Sequence, residues 1–442
     1  MANRKNILIL ITDQQTHRAM SCAGNDWLNT PAMDALARRG TQLTRAYCTY
    51  PLCSPARASH MTGKYPHQAN VWGNAGKPFW KHEIAREEFL GYPMGQAGYR
   101  CVWAGKDMPP ADGSRDFELL CRWGDVQTAD HLCEFVAGEH DRPFLAVGNF
   151  VNPHNICEWA RGMPLFEGGI GEMPRDEDLP PLPANFAVPP YEPQIIRKIQ
   201  QLGLQVFIGQ GFDERRWRQY IWAYYRMVEM VDRQVGRVLD VLRESGLEDD
   251  TLVMFLSDHG DGCGAHRWNQ KMTFYEEVIR VPMILAGPGV AAGARSEALV
   301  STGLDIFPTC CEIAGADLPG DLPGRSLLDL CDGTTPADWR DELTVESAMN
   351  PEILDSAKAH KQNMGRCIVT GRYKYSVWKW GTPREQLVDL QEDPGEMVNL
   401  AVVGRYRDLL EQMRGRLYDW TQATDDPFMV PGREILSPGA QR

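Results

Sequence analysis

The chain has 442 residues, of which 43% are hydrophobic and 24% are charged, an ordinary composition for a globular protein. This length is enough for one large α/β domain with an ample core and a smaller second domain. The 46 basic and 59 acidic residues give a net charge of −13. This charge argues against nucleic acid or an anionic membrane surface as a partner.

The N-terminus and the cysteines indicate where the protein resides. The apolar run 7–11 is too short for the core of a signal peptide, and no run approaches the roughly 20 residues of a membrane span. The 12 cysteines are irregularly spaced, which favours neither a zinc framework nor a disulfide set. We therefore expect a cytoplasmic protein, or a periplasmic one if an export signal has been removed.

The first 340 residues repeat one pattern, in which an apolar strand ends at polar residues and a helix follows. We predict strands over 6–12, 99–104, 144–150 and 251–256. We predict one helix from Pro31 to the stop at Gly40, with Thr30 as its cap, and another over 214–245. Since ligands in open α/β sheets bind beyond the carboxyl ends of strands, the polar residues at these ends are expected to converge.

Two later segments differ from this pattern in composition and in the elements they predict. The stretch 162–193 is rich in proline and acidic residues and predicts a long surface insertion. After about Pro336, strands are predicted over 366–369, 373–378 and 385–390, followed by a helix over 406–421. We therefore predict an α/β catalytic domain over 1–340 and a small α+β subdomain with an antiparallel sheet over 341–442.

The segment from Cys53 to Gly63 carries the most specific signal in the chain. It reads C-S-P-A-R-A-S-H-M-T-G, and a cysteine two residues before a proline and four before an arginine is the pattern that cells convert to formylglycine. The hydrated aldehyde would offer two hydroxyls, one to bind a metal and one to attack sulfur or phosphorus. The alternative for Cys53 alone is a small buried apolar side chain.

Four polar residues at the strand ends form a candidate metal site: Asp13, Gln14, Asp258 and His259. With an oxygen from residue 53, they could hold one divalent cation. Hard oxygen ligands suit calcium or magnesium, whereas a ring nitrogen favours manganese, zinc or iron. Taken alone, Asp13 could instead be a capping residue, and 257–260 an ordinary loop.

A second set of residues supplies the positive charge that an anionic substrate requires. Arg57 lies one helical turn beyond Cys53, where it could orient the hydrate or bind a substrate oxygen. Lys106 and Lys271 could neutralise charge on the transferring group. His154 could protonate the leaving oxygen as a general acid, and His266 is a further candidate near the substrate. The alternative for each lysine is a solvated surface charge.

Over nearly its whole length the chain resembles the type I sulfatases of the alkaline phosphatase superfamily. Beyond the cysteine segment, the resemblance rests on short motifs spread in order along the sequence. These are I-T-D-Q at 11–14, Y-P-H at 65–67, G-K at 105–106, N-P-H at 152–154, S-D-H-G-D at 257–261, Lys271, Tyr275-Glu276, R-V-P at 280–282, L-V-D-L at 387–390, D-P-G-E at 393–396 and N-L at 399–400.

This resemblance implies an alkaline-phosphatase-like sandwich with a large mixed, mostly parallel sheet flanked by helices. It implies that a maturation enzyme converts Cys53 to formylglycine, whose hydrate attacks a sulfate ester while Arg57 positions it. The metal, usually calcium, would be bound by Asp13, Gln14, Asp258 and His259. Lys106, His154 and Lys271 would hold the sulfate, Asn74 would lie near the substrate, and the covalent sulfate would leave as the aldehyde re-forms.

The chain departs from the common family pattern at three places. Gln14 and His259 replace the second aspartate and the asparagine of many members, a pairing found both in phosphonate or phosphodiester hydrolases and in carbohydrate sulfatases. Lys106 is followed by Asp107-Met108, where the family commonly has tryptophan and then histidine. That histidine takes a proton as sulfate is eliminated, which Met108 cannot do.

We therefore expect an enzyme that hydrolyses a sulfate ester of a carbohydrate. The L-P-P-L-P run at 179–183 resembles the insertions of glycan sulfatases. Two alternatives remain open: a phosphonate monoester or phosphodiester hydrolase with the same nucleophile, and an anion-binding protein that has lost catalysis. The sequence does not predict the oligomeric state.

Overall fold

A mixed sheet of nine strands lies at the centre of the larger part of the chain. The computed structural model describes residues 5–74, 84–106, 116–202, 208–349 and 363–432. Within these ranges the strand order is β4-β3-β5-β1-β6-β8-β2-β7, and β9 also pairs with β2. The strands are β1 (Asn6–Asp13), β2 (Thr41–Tyr47), β3 (Arg100–Gly105), β4 (Glu118–Cys121), β5 (Phe144–Pro153), β6 (Thr251–Ser257), β7 (Arg280–Val281), β8 (Met283–Ala286) and β9 (Ala294–Ser301).

The middle of this sheet is parallel, and its far side is mixed. Strand β1 pairs in parallel with both β5 and β6, with Ile7 opposite Leu145 on one side and Leu252 on the other. Strand β8 runs antiparallel to β6 and β2. All eight residues of β1 are buried, as expected of a parallel strand covered on both faces. The predicted class, a mixed but mostly parallel sheet flanked by helices, is confirmed.

Helices cover both faces of the sheet. The α-helices of the described ranges are α1 (Pro31–Arg39), α2 (Cys53–Thr62), α3 (Pro66–Ala69), α4 (Gly91–Gln96), α5 (Asp125–Ala137), α6 (Ile156–Ala160), α7 (Gln194–Gln201), α8 (Glu214–Glu244), α9 (Glu276–Ile279), α10 (Thr302–Ala314) and α11 (Arg407–Ala423), the last of which packs on the C-terminal sheet. Alternate residues of β1 enter different cores, because successive side chains of a strand point to opposite faces. Ile9 packs in the core that includes α2, α4 and α10, and Leu10 packs in the core of α1, α5 and α8.

Gly40 ends α1 as predicted, but the reason is packing and not a left-handed turn. Its φ is −137°, which any residue can adopt. A Cβ atom at this position would lie 1.9 Å from the carbonyl oxygen of Leu285 in β8. The glycine therefore lets the end of the helix approach the sheet.

A second, antiparallel sheet follows in the C-terminal region, in the order β10-β11-β12-β13. Its strands are β10 (Glu342–Ala348), β11 (Met364–Thr370), β12 (Tyr373–Trp378) and β13 (Glu385–Asp389). It contacts the larger part through Glu346, whose N–H donates to the Thr49 carbonyl at 2.8 Å, and Ser347, whose hydroxyl donates to the Met272 carbonyl at 2.7 Å. The domain boundary near residue 340 stays a prediction.

The insertion over 162–193 contains one short 3₁₀ turn, Asp176–Asp178, and otherwise neither helix nor strand. None of the helices in the described ranges is long and apolar enough to cross a membrane.

Candidate active site

Four predicted site residues meet beyond the carboxyl ends of two neighbouring strands. Asp13 ends β1, Asp258 and His259 follow β6, and Cys53 opens α2. All four are buried, and one potential ligand atom from each lies within 4.8 Å of the others. The pairing of β1 with β6 places Asp13 beside the segment that carries Asp258 and His259. The convergence expected from the strand ends is what the structure shows.

Cys53 is surrounded by groups suited to hold oxygen atoms. Its Sγ lies 3.4 Å from Nε2 of His259, and Nζ of Lys271 donates to it at 3.1 Å. Asn74 donates to Sγ at 3.8 Å, and Oδ1 of Asp13 lies 3.7 Å away. The thiol is the unmodified side chain, so Sγ marks where a formylglycine would place an aldehyde or hydroxyl oxygen.

The charges around Cys53 favour an anion at this position. Burial and Asp13 would raise the pKa of the thiol, but Lys106, Lys271 and His259 hold that pKa well below its ordinary value. Cys53 also begins α2, a ten-residue helix whose N-terminus adds a partial positive charge. A negatively charged group attached here is therefore stabilised.

Arg57 is 1% exposed, and its guanidinium group donates to three buried side chains. Nε donates to Asp258 at 2.9 Å and Nη2 donates to Asp13 at 3.1 Å. Nη1 donates to the side chain of Asn149 at 2.7 Å. We expected Arg57 to orient the hydrate or a substrate oxygen. In the structure its guanidinium group contacts the two carboxylates next to Cys53, and its contact with the hydrate or a substrate oxygen stays a prediction.

Lys106 and His154 lie on another side of the cluster. Lys106 directly follows β3, which is separated from β1 by one strand, β5. Its Nζ forms an ion pair with Oδ2 of Asp13 at the end of β1. His154 follows β5, and its side chain is 25% exposed. Burial would raise the pKa of Asp13, but Lys106, His154, Arg57 and Lys271 together hold it well below the ordinary value. Asp13 is therefore an anion at neutral pH.

The two carboxylates and the imidazole fit a divalent cation. Burial, and then the neighbouring Asp13, raise the pKa of Asp258, because two carboxylates lie close together away from water. Nε2 of His259 is 3.7 Å from Asp258 and 3.9 Å from Asp13. A cation among these atoms would offset the repulsion between the carboxylates. Oxygen ligands with one ring nitrogen are compatible with calcium, magnesium, manganese or zinc.

Gln14 adopts a left-handed backbone conformation, with φ of 73°. Its N–H donates to Oδ1 of Asp258 at 3.1 Å. Its side-chain Nε2 donates to Asp261 at 2.8 Å, and its Oε1 accepts from the thiol of Cys157 at 3.7 Å. Gln14 thus adjoins the cluster, and its role as a metal ligand stays a prediction.

Several neighbours of the site were not among the predicted site residues. Asn149 was missed because it stands inside the apolar strand β5, although a polar residue in a fully buried strand is itself a signal. Asp261 accepts from Gln14 and also from the hydroxyl of Tyr220 at 2.9 Å. Tyr224, one turn further along α8, accepts from Thr16 and donates to the carbonyl of Gln14. These residues hold the loops that carry the site.

Comparison with known proteins identifies the family to which this arrangement belongs. A family model described as sulfatase matches residues 5–316. The chain belongs to the sulfatase family. A second model, described as the C-terminal part of N-sulphoglucosamine sulphohydrolase, matches residues 264–423 of this sulfatase. The predicted class, a hydrolase that acts on sulfuric esters, is thereby confirmed.

Individual relatives of the sulfatase cover almost all of it. A Δ4,5-hexuronate-2-O-sulfatase of Bacteroides thetaiotaomicron is 30% identical, over 96% of this chain and 90% of the relative. The solved structure of a 2-O GAG sulfatase has a TM-score of 0.85 at 28% identity, covering 96% of this chain and 93% of that one. A phosphonate monoester hydrolase of Agrobacterium radiobacter, at 23% identity, has a TM-score of 0.77 over 95% and 96% of the two chains and shares the fold.

Two predicted contributors to the sulfatase site require separate comment. Asn74 contacts Cys53, and its Oδ1 also accepts from the N–H of Ser54 at 3.0 Å. His266 is fully buried, its ring stacks on Tyr275 at 3.8 Å, and its Nε2 lies 3.4 Å from the Asn185 amide. Burial and nearby cations lower the pKa of His266 to about 3, so it is neutral. The substrate-binding role of His266 stays a prediction.

Asp107 and Met108, where the sequence departs from the lysine-tryptophan-histidine pattern, lie outside the described residues.

Proposed function

We propose that this sulfatase removes an O-linked sulfate from a uronic-acid-containing saccharide, using a formylglycine made from Cys53 and one divalent cation. The observation that carries the proposal is the buried cluster at Cys53, in which Lys271 and His259 contact Sγ and two carboxylates lie beside it. The saccharide class is supported by the hexuronate 2-O-sulfatase that is 30% identical over nearly the full length.

The chain's own residues divide the work by position. Lys271 donates to the atom at the Cys53 position, so it would hold an oxygen of the nucleophile or of the sulfate there. Lys106, paired with Asp13, would face the same group and reduce its negative charge. His154, which keeps a quarter of its side chain exposed at the end of β5, would donate a proton to the leaving alcohol.

Asp13, Asp258 and His259, with Gln14 beside them, would hold the cation, and calcium is the ion we propose. When bound, the cation would supply positive charge that polarises the oxygens around residue 53. Arg57 would keep the two carboxylates aligned whether or not an ion is present, since it bonds to both. A maturation enzyme that recognises the Cys53 segment would be a required partner.

The test combines mass spectrometry of the Cys53 peptide with assays of sulfate release. The chain is produced with a formylglycine-generating enzyme, and the peptide that contains Cys53 is examined by mass spectrometry for conversion of the thiol to an aldehyde. Sulfate release is then measured from O-sulfated uronate disaccharides, an aryl sulfate and an aryl phosphonate monoester. Cys53→Ala serves as the control and is expected to release no sulfate.

We expect the aldehyde and preferential turnover of the uronate sulfate. Preferential turnover of the phosphonate ester would favour the phosphonate hydrolase alternative. A Cys53 thiol that stays unmodified when the chain is produced with the formylglycine-generating enzyme would refute the proposed nucleophile and, if no sulfate is released, support an anion-binding protein. Activity that survives Cys53→Ala would also refute the proposed nucleophile.

A further inference from the structure

Trp123 stands beside the predicted sulfate-binding lysine and is open to solvent. It lies between β4 and α5, and 51% of its surface is exposed. Its ring centroid is 5.9 Å from Nζ of Lys106, within the range of a cation–π contact. Lys106 in turn pairs with Asp13, which lies 3.7 Å from Sγ of Cys53. The ring is thus connected to the proposed nucleophile through contacts with two intervening side chains, those of Lys106 and Asp13.

The backbone at Trp123 is in a conformation that a large side chain rarely adopts. Its φ is +57°, and the next residue, Gly124, has φ of +91°. A bulky residue in the left-handed region is an outlier that requires support from its surroundings. Such strained positions cluster at functional sites, where the strain keeps a side chain in place.

Support for this conformation comes from Asp125, the first residue of α5. Its carboxylate accepts from the N–H of Val151 at 2.5 Å and of Asn152 at 3.2 Å. Its own N–H donates to Glu167 at 2.7 Å. The segment that carries Trp123 is therefore fixed to the end of β5, directly before His154. The ring thus belongs to a segment attached to the end of β5 and lies 5.9 Å from Nζ of Lys106, which follows β3.

We propose that Trp123 is a substrate-binding residue whose ring forms a platform for the sugar that carries the sulfate. The proposal rests on the proposed function, since it needs the sulfate to lie near Lys106. A sulfate held there leaves the attached sugar next to the half-exposed ring. An aromatic face offers apolar contact area to the C–H face of a sugar at little entropic cost. Simple packing does not require a tryptophan here, because 51% of the residue's surface is exposed.

The experiment separates binding from turnover. In a Cys53→Ala background, which cannot react, calorimetry measures the dissociation constants of an O-sulfated uronate disaccharide and of inorganic sulfate. Trp123→Ala should weaken the disaccharide about tenfold, a typical value for loss of one aromatic contact. Inorganic sulfate, which has no sugar to stack, should change less than about twofold. Trp123→Phe should restore most of the disaccharide affinity.

Trp27 provides the matched control. It is also a half-exposed tryptophan, 44% exposed, but it lines a separate cavity with Pro181 and Tyr225. Trp27→Ala should leave both affinities unchanged. Equal weakening of disaccharide and sulfate by Trp123→Ala would mean that the ring acts only through Lys106 and would overturn the proposal. Unchanged disaccharide affinity would overturn it as well.

A stability measurement excludes misfolding as the cause. Trp123→Gly should bind the disaccharide as weakly as Trp123→Ala but melt at a higher temperature than Trp123→Ala, because glycine adopts a positive φ freely. If Trp123→Gly were instead the less stable of the two, backbone strain at this position would be refuted and with it the proposed reason for the tryptophan. Failure of the unsubstituted sulfatase to release sulfate, with disaccharide binding still dependent on Trp123, would refute the proposed function alone.

Discussion

Arg57 places one buried positive charge between the two carboxylates that are predicted to hold the metal. Its guanidinium group donates one hydrogen bond to each of three side chains, which fixes the orientation of this planar group. A buried ion pair from which one partner is removed typically loses about 3–5 kcal/mol. Arg57 is therefore expected to be required for the structure of the proposed metal site, because it bonds to both carboxylates.

Asn149 is the third acceptor of the Arg57 guanidinium group, and replacing it tests whether this contact supports the site. In Asn149→Ala the Nη1 group of Arg57 loses its acceptor, so the carboxylates are held less firmly. Residues that support ligands in this way typically change metal affinity or activity by about 10- to 100-fold when replaced. We expect such a loss in kcat and in calcium affinity, measured by steady-state kinetics and by titration of the melting temperature with calcium.

Asn6→Ala is the matched control for Asn149→Ala. Asn6 is also a buried asparagine with an accepted backbone hydrogen bond, from Phe144 at 3.1 Å, but it lies at the opposite end of the sheet. The Asn6→Ala variant should have a lower free energy of unfolding and nearly the same kcat as the unsubstituted chain. An equal fall in kcat for both variants would show that Asn149 contributes only general stability.

At this scale the sequence predicted the residues that meet and not what each one contacts. Asp13, Cys53, Asp258 and His259 were predictable because the strand ends and the cysteine pattern single them out. The partners of Arg57 were not, because its three acceptors come from β1, β5 and the segment after β6, and no local pattern connects those strands. Asn149 looked like a minor interruption of an apolar run.

Helix α8 acts as a support for two of the site-bearing loops. Tyr220 and Tyr224 lie one turn apart on the same face, as residues at i and i+4 do. Tyr220 donates to Asp261 after β6, whereas Tyr224 donates to Gln14 and accepts from Thr16 after β1. One helix thus joins the loops that carry Asp13 and Asp258.

Tyr224→Phe would test this support. The substitution leaves the Gln14 carbonyl and the Thr16 N–H without their buried partner, which should cost about 2–4 kcal/mol in the free energy of unfolding. Calcium affinity should fall too, because Gln14 adjoins the ligands. Urea denaturation and calcium titration measure both. Tyr225→Phe removes a hydroxyl at the next helix position and should change calcium affinity little; similar losses in the two variants would refute a specific role for Tyr224.

Asp125, at the start of α5, gives the fold a dependence on pH. Burial, and then Glu167, raise the pKa of this carboxyl to about 7, whereas an aspartate in an unfolded chain ionises near about 3.9. Between these values the folded chain binds more protons than the unfolded chain. The contribution of Asp125 to the free energy of unfolding therefore falls as the pH rises from about 4 to about 7.

Asp125→Asn removes this titration, so its melting temperature relative to the unsubstituted chain should be higher at pH 8 than at pH 5. Thermal melts at the two pH values measure the difference. Asp130→Asn, at a half-exposed position of the same helix, should show no such trend. A relative melting temperature of Asp125→Asn that is lower at pH 8 than at pH 5 would contradict the raised pKa.

The main secondary elements were predictable where their patterns were long. The strands 6–12, 144–150 and 251–256 were found within one to three residues of β1, β5 and β6, and the helix 214–245 matches α8. The short antiparallel strands β7 and β8 were not predicted. Two and four residues give too little pattern, and their strand character comes from pairing with β2 and β6.

The two sheets of the molecule are joined through buried charge. Lys374 of β12 is 2% exposed, and its Nζ donates to the Phe274 carbonyl at 2.7 Å and to Glu276 at 3.0 Å. It also forms an ion pair with Glu396 at 2.6 Å. Residues 272–276 directly follow Lys271, which contacts Cys53. The C-terminal sheet therefore supports the segment that brings this lysine to the site.

Lys374→Met would remove the cation shared by two buried carboxylates, Glu276 and Glu396, and among the described residues only Glu276 keeps another, Arg280 at 3.6 Å. We expect a loss of about 3–5 kcal/mol in the free energy of unfolding, measured by denaturant titration. Arg372→Ala is the control, because the Arg372–Asp389 pair is partly exposed and should contribute less than about 1 kcal/mol. A loss for Lys374→Met no larger than for Arg372→Ala would show that the two sheets do not depend on this contact.

The distances along the chain between Cys53 and its partners have a consequence for timing. His259 lies 206 residues after Cys53, and Lys271 lies 218 residues after it. At a synthesis rate of about 5–20 residues per second, Cys53 precedes Lys271 by roughly 10 to 40 s. During that interval His259 and Lys271, two of the groups that contact Cys53 in the finished protein, do not yet exist. A nascent chain would thus leave this cysteine accessible to the proposed maturation enzyme for many seconds, and the folding that completes the site would also end that opportunity.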